Sequence, residues 1–159
     1  MVRRAAESDL PRALAIYDSA RRFMRSNGNT VQWVNGYPSE ALLRQDVERG
    51  DLYVVEDSGA VYGVFAFIVG DDPTYQTIRG AWLDNGTPYG TLHRLGSDGT
   101  RRGVLTEAVD WALTRLPHLR ADTHEANVAT QRCLERVGFV RCGVIHVADG
   151  TPRLAYEKV

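Results

Sequence analysis

Between residues 93 and 127 the sequence gathers side chains that can move protons and bind anions. His93 precedes a glycine-bearing stretch, "LGSDGTRRGVL", and further along "DTHEAN" offers Asp122, His124 and Asn127 where an extended run turns into a helix. Imidazole, with an ordinary pKa near ~6.5, suits a base working at neutral pH, directly or through one water. In an extended run alternate residues lean to one face, which pairs Asp122 with His124 and His93 with Leu95, leaving Arg94 opposite. The competing reading is structural: a histidine bonded to backbone, and a buried polar network around Asp122 and His124.

The glycines suggest the other half of the chemistry. In "HRLGSDGTRRGVL" a strand passes through a loop holding Gly96, Gly99 and Gly103 directly into a helix. Backbone N–H groups in such a loop, backed by a helix N-terminus, make a site for phosphate or pyrophosphate, and Arg101 and Arg102 would add positive charge. A nucleoside-triphosphate loop needs Gly-Lys-Ser/Thr at the helix start, where this chain has Gly103, Val104 and Leu105. A dinucleotide fold needs G-x-G-x-x-G after a first strand, and that is missing as well. A plain connecting loop with solvated arginines is the alternative.

The elements that must position these groups can be read by period and punctuation. A strand over 2–6 precedes a helix over 8–26, capped by Ser8 or Asp9, with Leu10, Leu14, Tyr17 and Met24 as its buried stripe. A loop over 27–38 leads to a second helix capped by Ser39 and ended by Gly50. Strands follow over 51–57 and 60–70, turning at Ser58-Gly59, then over 74–83 and 89–96. A helix over 104–116, a strand over 118–124, a helix over 127–137 and a hairpin turning at Asp149-Gly150 complete the chain. This is one α/β domain over 1–159 with a mixed sheet.

Composition narrows the partners. Net charge is −1 with 25% charged residues, so no overall field attracts nucleic acid or anionic membrane. No apolar stretch approaches the ~20 residues of a spanning helix, nothing resembles a secretion signal, and a cytoplasmic location is expected. The two cysteines, Cys133 and Cys142, form neither a disulfide framework nor a zinc pattern, so no metal is expected. Ala129, Cys133 and Val137 follow one helical stripe, which favours a core cysteine over an acyl-enzyme nucleophile.

Taken together, the two strand-to-helix junctions resemble the GNAT family of N-acetyltransferases, and the likeness runs over nearly the whole chain. Gly103 matches the central glycine of that family's pyrophosphate loop, Asn127 its pantetheine-binding Asn, and Gly138-Phe139 the Gly-Phe before its last hairpin. The segments "QWVNGYP", "GDLYVVED", "TYQTIRGAWL", "GTLHRLGS", "LRADTHEAN" and "PRLAYEK" are similar to a bacterial subgroup of the family. The resemblance implies the GNAT acyl-CoA N-acyltransferase fold: a mixed, mostly antiparallel sheet, about four helices and a splayed strand pair that binds CoA. It implies acetyl transfer from acetyl-CoA to a primary amine of a small molecule or peptide by direct attack. A non-catalytic acyl-CoA-binding module is the alternative, and a homodimer is compatible with either.

The resemblance also distributes roles. Amides around Leu95 and Gly96 would polarise the thioester; Ser97, Gly99, Thr100, Arg101, Arg102, Gly103 and Val104 would hold the pyrophosphate, and Asn127 the pantetheine. His93 would deprotonate the amine, with Asp122 and His124 as alternative or supporting groups. Trp33, Tyr37, Trp82 and Arg153 would line the acceptor mouth. Two positions depart from the family pattern: Leu105 in the loop, and Leu134 where many members carry an acid Tyr. A thiol of pKa roughly 8.5 leaves without strong acid help, so the base matters more than the acid.

Overall fold

The computed structural model describes residues 1–159. They pack as two compact units, Met1–Phe67 with Arg94–Ala108, and Ile68–His93 with Val109–Val159. The chain passes from one to the other between residues 67 and 68, 93 and 94, and 108 and 109.

In the first unit, β1 (Val2–Arg4), β2 (Leu52–Asp57) and β3 (Ala60–Val69) form an antiparallel ladder in that order. Helix α1 (Leu10–Ser26) buries Leu10, Ala13, Ile16, Tyr17 and Ala20, with Leu14 and Met24 only half-covered. The expected stripe is therefore shifted towards small residues, which let the helix sit close to its neighbours. Its start differs as well: Glu7–Asp9 make a 3-10 turn, and the Asp9 carboxylate takes Arg3 (2.8 and 3.0 Å) and the Ala6 amide (2.7 Å) rather than capping α1. Helix α2 (Glu40–Arg49) is bounded as its sequence dictates, by Ser39 Oγ accepting from the Leu42 amide and by left-handed Gly50. A Cβ on Gly63 of β3 would lie 2.6 Å from Val104 Cγ1, so the glycine lets the first turn of α3 (Val104–Leu113) press onto the sheet.

In the second unit the strand order is β5 (Gly90–Ser97, its first half), β6 (Leu119–Thr123), β8 (Pro152–Lys158), β7 (Val140–His146) and β4 (Arg79–Gly80). Only β5 and β6 run parallel, paired at Gly90↔Leu119, Thr91↔Arg120 and Leu92↔Ala121. Helix α4 (Val128–Arg136) precedes the β7–β8 hairpin, whose turn carries left-handed Gly150. The strand expected over 74–83 is mostly absent. Pro73 withholds an amide and Asp72 caps a 3-10 turn at Pro73–Tyr75, so only Arg79–Gly80 reaches the sheet edge. Helix α4 also buries a different face from the expected one: Leu134 is 1% exposed, while Ala129 is exposed and Cys133 half-buried. No helix is long and apolar enough to cross a membrane.

A buried charged group braces this unit. Glu157 is 0% exposed and accepts from the amides of Leu83 (2.9 Å) and Asp84 (3.1 Å), with His118 Nε2 at 2.6 Å and Arg120 Nη2 at 3.8 Å. The Arg120 guanidinium lies 4.0 Å from both the Trp82 and Tyr89 ring centroids and donates to Asp84 O (2.7 Å). Removing one member leaves a buried charge and two amides without partners. Glu157→Ala should therefore cost about 3–5 kcal/mol in denaturant unfolding; a loss below about 1 kcal/mol would mean that water replaces the carboxylate.

Candidate active site

The parallel ladder ends at Leu92 and Ala121, and the next residue on each strand is polar. His93 and Asp122 face each other there, with Nδ1 and Oδ2 3.9 Å apart. Two residues from the 3-10 turn complete the group. Asp72 divides its oxygens: Oδ1 accepts from the Thr74 amide (2.8 Å) and hydroxyl (2.7 Å), while Oδ2 lies 2.9 Å from His93 Nε2. The Tyr75 hydroxyl donates to Asp122 Oδ2 at 2.6 Å. Tyr75 is itself fixed, because Trp82 Nε1 donates to its carbonyl at 3.0 Å and its ring meets those of Trp82 and His93.

Electrostatics fix two members, Asp72 and Tyr75, in opposite states. Burial pushes the Asp72 carboxyl upward, but the hydrogen bonds from His93 and Thr74 outweigh it and hold the pKa at about 2. Asp72 is thus an acceptor only at neutral pH, and His93 Nε2 is the donor. Burial, reinforced by the Asp122 charge, pushes the Tyr75 phenol well above its usual range, so it stays protonated and donates. In neutral His93 the remaining lone pair is on Nδ1. The side chains of His93, Asp72 and Asp122 are 20%, 18% and 13% exposed, so the group is largely but not wholly covered.

The structure brings His93 and Asp122 together, but not the expected pair of Asp122 and His124. Strand β6 ends at Thr123, so His124 has left the ladder and its alternation. Its Nδ1 accepts from the Ala126 amide at 3.0 Å, and its carbonyl accepts from Asn127, which places it at the entrance to α4. Burial and the nearby Arg153 charge lower its pKa. Asp72 and Tyr75 were missed because "DDPTY" was absorbed into a strand; the Asp-Pro-Thr cap signature was the available signal. Alternation also fails along β5, since Arg94 has φ +50°. Its carbonyl accepts from the Tyr17 hydroxyl at 2.6 Å.

The phosphate-loop candidates all lie in the first unit. Gly99 (φ +80°) and Gly103 (φ +89°) adopt left-handed backbone, and a Cβ at either would meet open space. Asp98 and Ser97 organise the turn from within: Asp98 Oδ1 accepts from the Thr100 amide (2.9 Å), and Ser97 Oγ accepts from the Gly99 amide (3.1 Å). Asp98 is also paired with Arg12. Arg101 does not add its charge to the loop as expected, because its guanidinium pairs with Asp57 and stacks 5.0 Å from the Tyr62 ring centroid. Arg102 is exposed, and Leu105 is half-buried in the first turn of α3. Gly96 lies under the Tyr17 ring, where a Cβ would come within 3.2 Å.

Asn127 caps α4 through Oδ1, which accepts from the Thr130 amide at 3.2 Å. Of the residues expected at an acceptor mouth, Trp33 and Trp82 are core, 9% and 7% exposed, because each packs on a buried tyrosine: Tyr17 and Tyr75 respectively. Tyr37 is 41% exposed. Arg153 donates to the Thr151 hydroxyl (3.0 Å) and the Pro152 carbonyl (2.8 Å) at the start of β8.

The sequence matches no family model and no curated protein. Solved structures are more informative. A GNAT-family acetyltransferase of Streptococcus agalactiae is 30% identical over 100% of this chain and 94% of its own, with a TM-score of 0.88. The chain belongs to the GNAT acetyltransferase family. A GNAT-family acetyltransferase of Listeria monocytogenes (21% identity, TM-score 0.72, 99% and 93% of the two chains) has the same fold. So does a ribosomal-protein-alanine N-acetyltransferase of Brucella melitensis (22%, 0.66, 100% and 99%). As a GNAT acetyltransferase the protein is an acyltransferase, and its mostly antiparallel strands with one parallel pair are those of the family fold.

The depressed Asp72 pKa makes its carboxylate a source of stability above the unfolded-chain value, ~3.9, and that contribution is lost as pH falls towards about 2. Asp72→Asn should therefore be less stable than wild type near neutral pH, with the gap closing between about pH 4 and about pH 2. Denaturation midpoints that fall in parallel through that window would show that Asp72 ionises alike in the folded and unfolded chain.

Proposed function

We propose that this GNAT protein transfers acetyl from acetyl-CoA to a primary amine, with His93 as the base. The observation that carries the reading is the Asp72–His93–Asp122–Tyr75 group at the end of the parallel ladder, in which Asp72 holds His93 Nε2 and leaves Nδ1 facing Asp122. The residues present fit the co-substrate. Gly99 and Gly103 give the loop open left-handed turns, Gly63 lets α3 approach, and the first-turn amides of α3 have no intrahelical acceptors by construction. Ser97 to Val104 would hold the pyrophosphate, with Arg102 as the available cation. Asn127, at the start of α4, would order the pantetheine.

Bound acetyl-CoA supplies an activated acetyl group whose thiol, with a pKa of roughly 8.5, leaves without a strong acid. The side chains address the harder proton. An alkylammonium acceptor with a pKa of about 10 is mostly protonated at neutral pH and cannot attack. His93 Nδ1 takes that proton; Asp72 fixes the ring by accepting from Nε2 and stabilises the imidazolium that forms. Asp122 Oδ2, 3.9 Å from Nδ1, leaves room for the proton to enter the line between them. Tyr75 keeps Asp122 in place by donating to the same oxygen. Leu134 offers no acid at the family's Tyr position, in keeping with this division of labour.

Two outcomes check this reading. CoA at about 100 times its Kd should stabilise the protein by roughly 2.7 kcal/mol, and Gly103→Glu should abolish the effect by bringing a carboxylate and strained backbone to the loop. An unchanged shift in Gly103→Glu would relocate the pyrophosphate. His93→Ala should retain the CoA shift but lose about 10²–10⁴-fold in kcat, a loss that shrinks at high pH where the amine deprotonates unaided. Wild-type free-CoA release by His93→Ala across neutral pH would remove His93 from the reaction.

A further inference from the structure

Asp98 places a carboxylate inside the loop assigned above to the pyrophosphate, where like charges repel and cost affinity. Its side chain is only 8% exposed. Burial pushes its pKa up, but the Thr100 hydroxyl and amide and the Arg12 guanidinium outweigh that and lower it, so the charge persists at neutral pH. The same carboxylate builds the loop. Oδ1 accepts from the Thr100 amide (2.9 Å) and hydroxyl (2.6 Å), while the Asp98 amide donates to the Tyr62 carbonyl at 3.1 Å. Ser97 Oγ takes the Gly99 amide. The amides of Asp98, Gly99 and Thr100 are thus already matched, and a phosphate must be read by amides further along, towards Gly103 and the start of α3 at Val104.

A cation from outside the loop masks the charge. Arg12, in the first turn of α1, pairs with Asp98 Oδ2. Its Nε donates to the Val61 carbonyl at 2.9 Å, so β3 holds the guanidinium through one carbonyl and the Asp98 amide through the next. Arg101, nearer in sequence, does not serve, because it pairs with Asp57. Arg12, Val61, Tyr62 and the loop all belong to one compact unit.

We propose that Arg12 is a positioning residue for acetyl-CoA: by neutralising Asp98 it lets the loop keep the carboxylate's hydrogen bonds without its repulsion of the pyrophosphate. The inference rests on the acetyl-CoA reading of the loop. A guanidinium suits the task because separate N–H groups serve the Val61 carbonyl and the carboxylate at once, fixing the charge in direction as well as in place. Arg12 acts through Asp98, so its effect on the cosubstrate depends on the Asp98 charge. That dependence separates it from a residue that touches the phosphates and from one that only supports the loop.

The test is a double-mutant cycle on the calorimetric Kd for CoA, at about 0.05 M and about 0.5 M salt, in wild type, Arg12→Gln, Asp98→Asn and the double variant. At low salt Arg12→Gln should raise Kd about tenfold. In the Asp98→Asn background, where the amide oxygen can still serve Thr100 but the charge is gone, the same substitution should change Kd by less than about twofold. High salt should shrink the tenfold loss to about threefold by screening, and Arg12→Lys, which keeps the charge, should stay within about threefold of wild type. An equal loss in both Asp98 backgrounds would mean that Arg12 touches the cosubstrate itself. A loss indifferent to salt and not rescued by lysine would mean that Arg12 only props the loop, and either result overturns the assignment. Should Arg12→Gln fail to fold, Asp98→Asn decides: it should bind CoA at least as tightly as wild type at low salt, and weaker binding would overturn the proposal. Absence of CoA binding by wild type would sink the acetyl-CoA reading of the loop, whereas wild-type binding with any of the contrary results sinks the role of Arg12 alone.

Discussion

The end of the β5–β6 ladder is the constraint from which the site follows. Beyond Leu92 and Ala121 the pairing of β5 with β6 stops, though β6 still pairs with β8, and the polar side chains of His93 and Asp122 there remain mostly shielded from water. Such groups must be satisfied by side chains or destabilise the fold. In one unit the Arg94 carbonyl finds the Tyr17 hydroxyl, and α1 is thereby held to β5. In the other, Asp122 finds the Tyr75 hydroxyl and His93 finds Asp72. The interruption of regular pairing creates the polar group, and it also dictates that distant segments supply the partners.

Those partners are electrically one-way. Asp72 is held ionised and Tyr75 is held protonated, so neither exchanges a proton at neutral pH. An array of groups that all titrated near neutrality would spread a proton among several sites. With Asp72 fixed as an acceptor on the Nε2 side, the His93 ring presents Nδ1 towards Asp122.

Precision in that arrangement comes from deeper in the same unit. Tyr75 is positioned by Trp82 through a 3.0 Å bond to its carbonyl and by ring contact, and Trp82 is flanked by Arg120, which Glu157 and the Asp84 carbonyl secure. The Glu157 carboxylate also anchors the amides of Leu83 and Asp84. Buried charges of this kind add little net stability. Their effect here is to fix the irregular segment over 81–89, which has almost no ladder hydrogen bonds of its own.

Local signals were legible wherever the chain's neighbours in sequence are also its neighbours in space. Ser39 and Gly50 bound α2, Asn127 caps α4, Gly99 and Gly103 take left-handed turns, and Asp149-Gly150 turns the last hairpin, because caps and turns depend on a few adjacent residues. The family and its α/β order were readable for the same reason, from motifs spaced along the chain. His93 and Asp122 stood out by type and by their place at strand ends. Their partners did not. Asp72 lies 21 positions from His93 and Tyr75 lies 47 from Asp122, and no periodicity links residues at such separations. Trp33 and Trp82 read as a rim because aromatic residues in loops suggest a mouth, whereas the buried rings of Tyr17 and Tyr75 draw them inward. Arg101 read as a phosphate cation until Asp57, 44 positions away, claimed it. Sequence determined which groups were available and which turns would form. Tertiary structure decided which charges met, because Coulombic and hydrogen-bond pairing depends on distance in space.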